Sequence, residues 1–212
     1  MSLDLIPAAL TSAALLFLLL PLKRLTTRQR ALTLLALLAV SAMPVDGATL
    51  ATFVRGILGD LAVTTMVFLA WAALGKVLQW SPRPLSERVG PAGFYAALGL
   101  AMYPAMLGLC PLDPYRLGFE PTWLLVVCGT ATVGFSVRGY GVTAIAMILA
   151  TLAFTLDLGH SRNYWDYILD PVLAIYSVLV VLRWMASTLR SRSGLRHSGT
   201  PSQLLTEPGR AG

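Results

Sequence analysis

The chain has 212 residues, of which 56% are hydrophobic and only 12% are charged. A typical soluble domain is about 45–50% apolar and about 25% charged. The mean hydropathy of +0.71 is far above what a water-facing surface allows. This composition excludes a disordered chain and a disulfide scaffold, and it argues against a water-soluble enzyme. We therefore expect a protein that crosses a membrane several times.

Seven apolar segments alternate with polar loops along the chain. A hydrocarbon core about 30 Å thick requires roughly 20 helical residues for one crossing, so residues 1–187 are predicted to form an all-α, polytopic membrane helix bundle with about seven transmembrane helices. Residues 188–212 are basic and lack apolar periodicity, which predicts a disordered cytoplasmic tail. The connector 47–56 is expected to be either a loop or a re-entrant segment. The predicted helices occupy residues 5–22, 31–45, 57–75, 89–110, 122–137, 140–156 and 171–184.

The charges indicate which way the helices run. If the N-terminus lies outside and the C-terminus inside, all sixteen basic residues except Arg55, Arg116 and Arg162 fall in cytoplasmic segments. This agrees with the positive-inside rule and predicts a multi-pass protein of a bacterial inner (cytoplasmic) membrane. It also explains the net charge of +6 without a nucleic-acid partner. All acidic residues except Glu87 and Glu207 map to the outside, and because acids obey no sidedness rule, their distribution requires a second explanation.

Three acidic residues stand where helices are expected to begin. Asp113 and Asp170 each precede a proline, and aspartate is a preferred N-cap while proline is favoured at the first helical position. Glu120 precedes Pro121, which places its carboxylate beside the positive end of the fifth segment. We expect capping to be the main role of these three residues.

Asp60 is expected about one turn inside the third segment. An ionisable residue at the centre of a membrane helix costs about 2.5–3.5 kcal/mol, and such residues usually face the bundle and find a partner. Thr64 lies four positions later, on the same face of a helix, and Arg55 lies across a glycine-containing turn. One interpretation is a structural Asp–Arg pair or a helix cap, and the other is a contact to a substrate or headgroup.

A second polar stretch, residues 157–170, separates the last two apolar segments. Within it, Asp157 and His160 are the best candidates for a proton-transfer pair, since histidine suits proton transfer at neutral pH. Arg162 is suited to a bidentate grip on a phosphate or carboxylate. The alternative is that this stretch is a solvated turn.

Together these residues predict a polar patch at the outer face for an anionic lipid headgroup or a juxtamembrane segment of a partner protein. The predicted binding residues are Arg55, Asp60, Arg116, Arg162 and Asp166, and the catalytic candidates are Asp60, Asp157 and His160. No cofactor and no metal site is expected, because Cys110 and Cys128 lie inside apolar runs away from any Cys/His cluster at zinc spacing. A nucleotide-binding glycine loop is also absent from the sequence.

One run resembles a known family. The stretch from Phe53 to Leu61, reading FVRGILGDL, resembles part of the membrane region of lipoteichoic-acid-synthase-type phosphoglycerol and phosphoethanolamine transferases, and the region from Asn163 to Asp166 occupies a similar place to a polar stretch there. Those enzymes carry a large extracytoplasmic catalytic domain with a metal, which this sequence does not contain. The resemblance therefore implies a stand-alone membrane module.

We expect an accessory or lipid-handling membrane subunit in the assembly of envelope glycans or lipids. Its partners would be membrane lipids, with anionic headgroups among them, and a membrane protein. Two rival hypotheses remain at this point. The first is a self-sufficient membrane-embedded lipid transferase or hydrolase, and the second is a transporter of small solutes or ions.

Overall fold

The computed structural model describes residues 5–45 and 48–197, with side chains described through residue 191. Nine α-helices dominate this part of the chain, so the prediction of an all-α fold is confirmed. A 3-10 turn, Pro114–Gly118, lies between the fifth and sixth helices. The elements are α1 (Leu5–Leu19), α2 (Thr27–Ala42), β1 (Pro44–Val45), β2 (Ala48–Thr49), α3 (Leu50–Leu58), α4 (Val63–Val77), α5 (Leu85–Met106), α6 (Thr122–Val137), α7 (Gly141–Thr155), α8 (Trp165–Ile168) and α9 (Pro171–His197).

Each predicted apolar segment overlaps one long helix, and α6 has the predicted bounds. Within the described residues, one helix is long and apolar enough by itself to cross a membrane, and this is the Pro171–Ser191 part of α9. The other strongly apolar helices, α1, α4, α6 and α7, have 15 or 16 residues. The arrangement of seven spans therefore stays a prediction.

The third predicted segment is divided into two helices, which corrects its expected bounds of 57–75. Helix α3 ends at Leu58, Gly59 turns the chain with a φ of 74°, and α4 begins at Val63. The connector 47–56 contains β2 and most of α3 and is therefore not a plain loop. Strand β2 pairs with β1 in an antiparallel register. The Thr49 hydroxyl caps α3 by accepting a hydrogen bond from the Thr52 amide at 3.1 Å.

The last helix extends further than expected. Helix α9 passes Trp184 and continues to His197, so the predicted disorder from residue 188 is wrong for the first part of that segment. Residues 185–191 contain neither glycine nor proline to interrupt a helix. Residues 198–212 of the predicted tail lie outside the described residues.

The helices pack in two groups that share α4. Helix α5 lies against α9, and α4 and α6 lie against α7, whereas α1 contacts α2, α3 and α4. Helices α5 and α9 cross so closely at Gly99 that a Cβ atom there would lie only 2.9 Å from the Cβ of Ala174. The main core surrounds Tyr95 and Met147, and a smaller core surrounds Phe17, between α1 and α4.

Four helices end in the same way, with a residue of positive φ directly after the last turn. At the end of α7, the Leu158 amide donates to the Ala153 carbonyl at 2.9 Å and the Asp157 amide donates to the Phe154 carbonyl at 3.1 Å. This is the Schellman motif, in which a left-handed residue satisfies the last carbonyls of the helix. The left-handed residues of α4, α5, α6 and α7 are Gln79, Gly108, Gly139 and Asp157.

Candidate functional site

Three segments meet beyond the N-terminal end of α4, and we call them the polar cap. They are the connector 59–62, the turn with its preceding residue (113–118), and the segment 157–170. Two of them are tied by three hydrogen bonds of 2.9 Å, in which each donor belongs to the later segment. The donors and acceptors are the Tyr164 amide to the Gly118 carbonyl, Asn163 Nδ2 to the Tyr115 carbonyl, and Trp165 Nε1 to the Pro114 carbonyl.

Asn163 is the centre of the cap, and it is fully buried. Besides the bond of its side chain to Tyr115, its Oδ1 accepts the backbone amide of Trp165 at 3.0 Å. The backbone amide of Asn163 donates to Ser161 Oγ, also at 3.0 Å. A Cβ atom on Gly118 would overlap the Asn163 amide, so only glycine fits there. Sequence reasoning missed Asn163 as a structural residue. The sequence feature that could have pointed to this role is that Asn163 is the only asparagine in the sequence and lies in the most polar stretch between two apolar segments.

Asp170 joins the cap to two helices. Its side chain is buried, with 5% of the residue exposed. Oδ1 accepts the Leu173 amide at 2.8 Å, which confirms the predicted cap of α9, and Oδ2 accepts the Ala62 amide at 2.9 Å, just before α4. The hydroxyl of Thr64, in α4, donates to the Ile168 carbonyl at 2.8 Å beside this junction. The starts of α4 and α9 are therefore fixed to each other.

The two other capping predictions have different outcomes. Asp113 caps the 3-10 turn by accepting the Arg116 amide at 3.3 Å, and Pro114 takes the first position, as expected. Glu120 does not cap α6 with its carboxylate. The first turn of α6 instead uses the backbone of Glu120, whose carbonyl accepts the Thr122 amide at 2.9 Å.

Asp60 lies in the connector before α4 and not inside a helix, which corrects its expected position. It forms a two-point ion pair with Arg55, with Nε to Oδ1 at 2.6 Å and a second guanidinium nitrogen to Oδ2 at 2.8 Å. The side chain of Asp60 is 62% exposed and that of Arg55 is 29% exposed. The expected pairing of Asp60 with Arg55 is therefore observed, and a contact of either residue to a substrate or headgroup stays a prediction. Such an exposed pair contributes about 0–1 kcal/mol to stability.

Asp166 lies on the exposed side of the cap and accepts two hydroxyl groups. Tyr115 donates to it at 3.0 Å and Ser161 at 2.5 Å. Partial burial and the neighbouring Asp166 carboxylate raise the pKa of Tyr115 to about 12. The phenol therefore stays protonated and remains a hydrogen-bond donor, so this contact persists across the physiological pH range.

The other predicted residues lie on the cap surface. Arg116 and Arg162 are exposed, and each is next in sequence to one end of the bond between Asn163 and Tyr115. Neither guanidinium bonds to any residue that the structure describes. Asp157 and His160 are also exposed, and Asp157 is the left-handed residue that ends α7.

The opposite end of α4 carries a second polar assembly, which we call the basic end (residues 17–30 and 76). Lys76 Nζ donates to the carbonyls of Phe17, Leu18 and Leu20 at 2.6–2.8 Å, where α1 ends. Arg30 is 8% exposed and donates to the carbonyls of Leu25, Lys76 and Lys23 at 2.9–3.3 Å. The sequence placed these cations in cytoplasmic loops but did not indicate that they bind helix ends.

The cap combines a hydrogen-bonded base with exposed guanidinium groups, the side-chain type that suits phosphate or carboxylate oxygens. A group of three or more histidine, cysteine or acidic side chains able to hold a metal ion does not occur among residues 5–45 and 48–197. Comparison of the chain with protein-family models, with curated proteins and with solved structures found no match. The functional interpretation therefore depends on the site itself.

Proposed function

We propose that this chain is an accessory, lipid-handling subunit of a bacterial inner membrane that takes part in envelope glycan or lipid assembly. Its seven long helices cross the bilayer with the N-terminus outside and the C-terminus inside. The polar cap faces outward and binds an anionic lipid headgroup or an acidic juxtamembrane segment of a partner protein. In this proposal the chain positions the anionic group and another protein supplies the chemistry.

The surface of the helices supports the membrane part of the proposal. Forty large hydrophobic side chains are exposed among the described residues, whereas soluble monomers rarely expose apolar patches beyond a few hundred Å². A 15-residue helix is about 22 Å long at 1.5 Å per residue, so local thinning of the bilayer and the flanking polar residues would complete the shorter spans. Helix α9 needs no such adjustment.

The positions of the charges support the orientation. The cap and the basic end lie at opposite ends of α4, with Asp170 and Asp60 on one side and Lys76 and Arg30 on the other. Cations at one end are what the positive-inside rule predicts for the cytoplasmic face. Three arginines nevertheless lie outside in this orientation, which points to a specific role for them.

The observation that carries the proposed function is the rigid presentation of Arg116 and Arg162. The segments that bear them are joined through buried Asn163, whose polar groups are all bonded. Such a base fixes the backbone at both arginines before a ligand arrives, which reduces the entropic cost of binding. A guanidinium group binds phosphate or carboxylate oxygens in a two-point geometry.

The same geometry favours presentation over catalysis. Of the three catalytic candidates, Asp60 is held by Arg55 and Asp157 terminates a helix. The Arg55–Asp60 pair lies within the run that resembles the lipoteichoic-acid-synthase-type transferases. This resemblance supports the assignment to envelope assembly, where those enzymes act.

The proposal is tested by purifying the full-length chain gently from native membranes and identifying all bound lipids and proteins by mass spectrometry. The test variant is Arg116→Gln/Arg162→Gln, and its matched control is Arg24→Gln/Arg28→Gln, which removes two exposed cations from the basic end. We expect the wild type and the control to retain an anionic lipid or one stoichiometric membrane protein. Retention of the lipid or protein that is held at the cap should fall by about tenfold or more in the test variant.

Equal retention by the two double variants would contradict a binding role for the cap. Bound substrate-like lipid that the purified chain converts to product by itself would replace the accessory role by the enzyme hypothesis. In that case His160→Ala and Asp60→Asn should abolish turnover.

A further inference from the structure

A lateral groove of about 560 Å³ lies between α5 and α6, away from the polar cap. Its floor is formed by Phe94 and Phe135, whose rings meet edge to face at 5.5 Å between centroids. Small residues, Gly90 and Gly134 among them, line its walls, and Arg138 stands at one end. The groove is therefore apolar along its length and cationic at one end.

The groove exists because these two helices pack on different partners. Helix α5 lies against α9, and α6 lies against α7, so consecutive helices are held apart above the two phenylalanine rings. At Gly134 a Cβ atom would meet nothing within 4 Å. The hydroxyl of Thr130 donates to the Val126 carbonyl at 2.8 Å, which leaves its methyl group for the wall.

The groove is long enough for one acyl chain, which spans about half of a hydrocarbon core. From Val126 to Arg138, α6 rises by about 18 Å at 1.5 Å per residue, and half of a hydrocarbon core is about 15 Å. Because α6 begins at Thr122 near the polar cap and ends at Val137, next to Arg138, the groove extends from about one turn inside α6 to the end opposite the cap.

The cationic end is available to a ligand. The Arg138 side chain is exposed and forms no hydrogen bond to any residue in the described part of the chain. A Cβ atom at Gly90 would lie 2.9 Å from the Tyr140 hydroxyl, so the start of α5 adjoins the turn after Arg138. That start carries a second exposed cation, Arg88. The mouth of the groove thus attracts an anion where the apolar part ends.

We propose that the groove binds an anionic phospholipid of the leaflet opposite the polar cap. One acyl chain lies over Phe94 and Phe135 between α5 and α6, and the phosphate of the headgroup contacts Arg138. The site is separate from the cap, and it rests on the proposed function only in that the helices lie in a bilayer. An acyl chain fits because the walls are apolar, and a charged headgroup fits because Arg138 lies at the interfacial end.

The test counts lipids that stay bound to the full-length chain in detergent, by native mass spectrometry, with dioleoyl phosphatidylglycerol and dioleoyl phosphatidylcholine as probes. We expect the wild type to prefer the anionic lipid by about tenfold. Gly134→Leu fills the groove and should abolish retention of both lipids. Its matched control is Gly129→Leu, the same change on an exposed position of α6 outside the groove, where a Cβ atom also meets nothing within 4 Å.

The headgroup contact has its own variant. Arg138→Gln leaves the groove open and should remove the preference for phosphatidylglycerol while phosphatidylcholine is still retained, whereas Arg28→Gln at the basic end should behave as the wild type. All measurements are repeated with Arg116→Gln/Arg162→Gln, so that binding at the cap is subtracted and the two proposals can fail separately. Equal retention by Gly134→Leu and Gly129→Leu, or an unchanged preference in Arg138→Gln, would overturn the inference. So would recovery of a second copy of the chain in place of lipid.

Discussion

The polar cap and the basic end satisfy opposite kinds of backbone group with opposite charges. In the cap, the Asp170 carboxylate accepts the amides of Ala62 and Leu173, which lie at the starts of α4 and α9. At the basic end, Lys76 donates to the carbonyls that close α1. Helix starts leave free N–H groups with a partial positive charge, and helix ends leave free carbonyls with a partial negative charge.

This comparison supplies a second explanation for the distribution of acidic residues. Asp113 and Asp170 are both at the cap and both accept backbone amides of a following turn or helix. Backbone donors at that end therefore explain the positions of Asp113 and Asp170, whereas Asp60 and Asp166 bind side chains. The cations at the other end satisfy carbonyls in addition to any role in orientation.

Asp170 and Lys76 also differ in how deeply they are placed. Asp170 is buried and its bonds join segments that are more than a hundred residues apart in sequence. Lys76 is partly exposed, and its bond to Leu20 is at the surface. Since water can replace a lost partner only where it has access, stability should be more sensitive to the loss of Asp170 than to the loss of Lys76.

The largest effect is expected from Asp170→Ala. The change leaves two buried backbone amides without an acceptor and removes two charge-assisted hydrogen bonds, which should lower the free energy of unfolding by about 3–5 kcal/mol. Chemical unfolding in detergent micelles measures this loss. The matched control is Asp166→Ala, a carboxylate in the same segment that is exposed, where about 1 kcal/mol is expected. Similar losses for the two variants would mean that burial of Asp170 is not what gives the cap its strength.

A smaller effect is expected from Lys76→Met, which keeps the length of the side chain and removes its charge. Three carbonyls at the end of α1 lose their donor, and we expect a loss of about 1–3 kcal/mol in the same unfolding assay. Lys23→Met, at an exposed position of the same end, is the control and should be almost silent. If Lys76→Met is also silent, the basic end does not depend on its cations for stability, and the comparison between the two ends fails.

The sequence predicted most of what depends on local pattern. Apolar runs located the seven long helices, and the Asp–Pro pairs located the caps at Asp113 and Asp170. The division between α3 and α4 was missed, because an apolar run through Gly59 resembles one continuous helix while the left-handed glycine ends it. For the same reason Asp60 was expected inside a helix when it lies in the connector.

The site could be predicted less well because it depends on contacts between distant segments. The sequence singled out the arginines and acids of the cap, but their fixed base is Asn163, which contacts Tyr115 across 48 positions. Nothing local to Asn163 or Gly118 indicates that contact. The groove could not be predicted from the sequence either, because it depends on α5 and α6 packing against different helices.

The smallest effect concerns the helix ends, and it also separates structural from catalytic roles. Asp157 ends α7 at the cap with a φ of 53°, and Gln79 ends α4 at the basic end with a φ of 59°. Glycine adopts this conformation without strain, so Asp157→Gly and Gln79→Gly should each raise the free energy of unfolding by about 0.5–1 kcal/mol. Aspartate tolerates the left-handed region better than glutamine, so the gain should be larger at Gln79.

Both gains are read from unfolding midpoints, with Gly139→Ala as the reverse control that should lose stability. A loss of stability in Asp157→Gly would mean that the carboxylate makes an interaction that helix termination does not explain, and Asp157 would return as a candidate for proton transfer with His160.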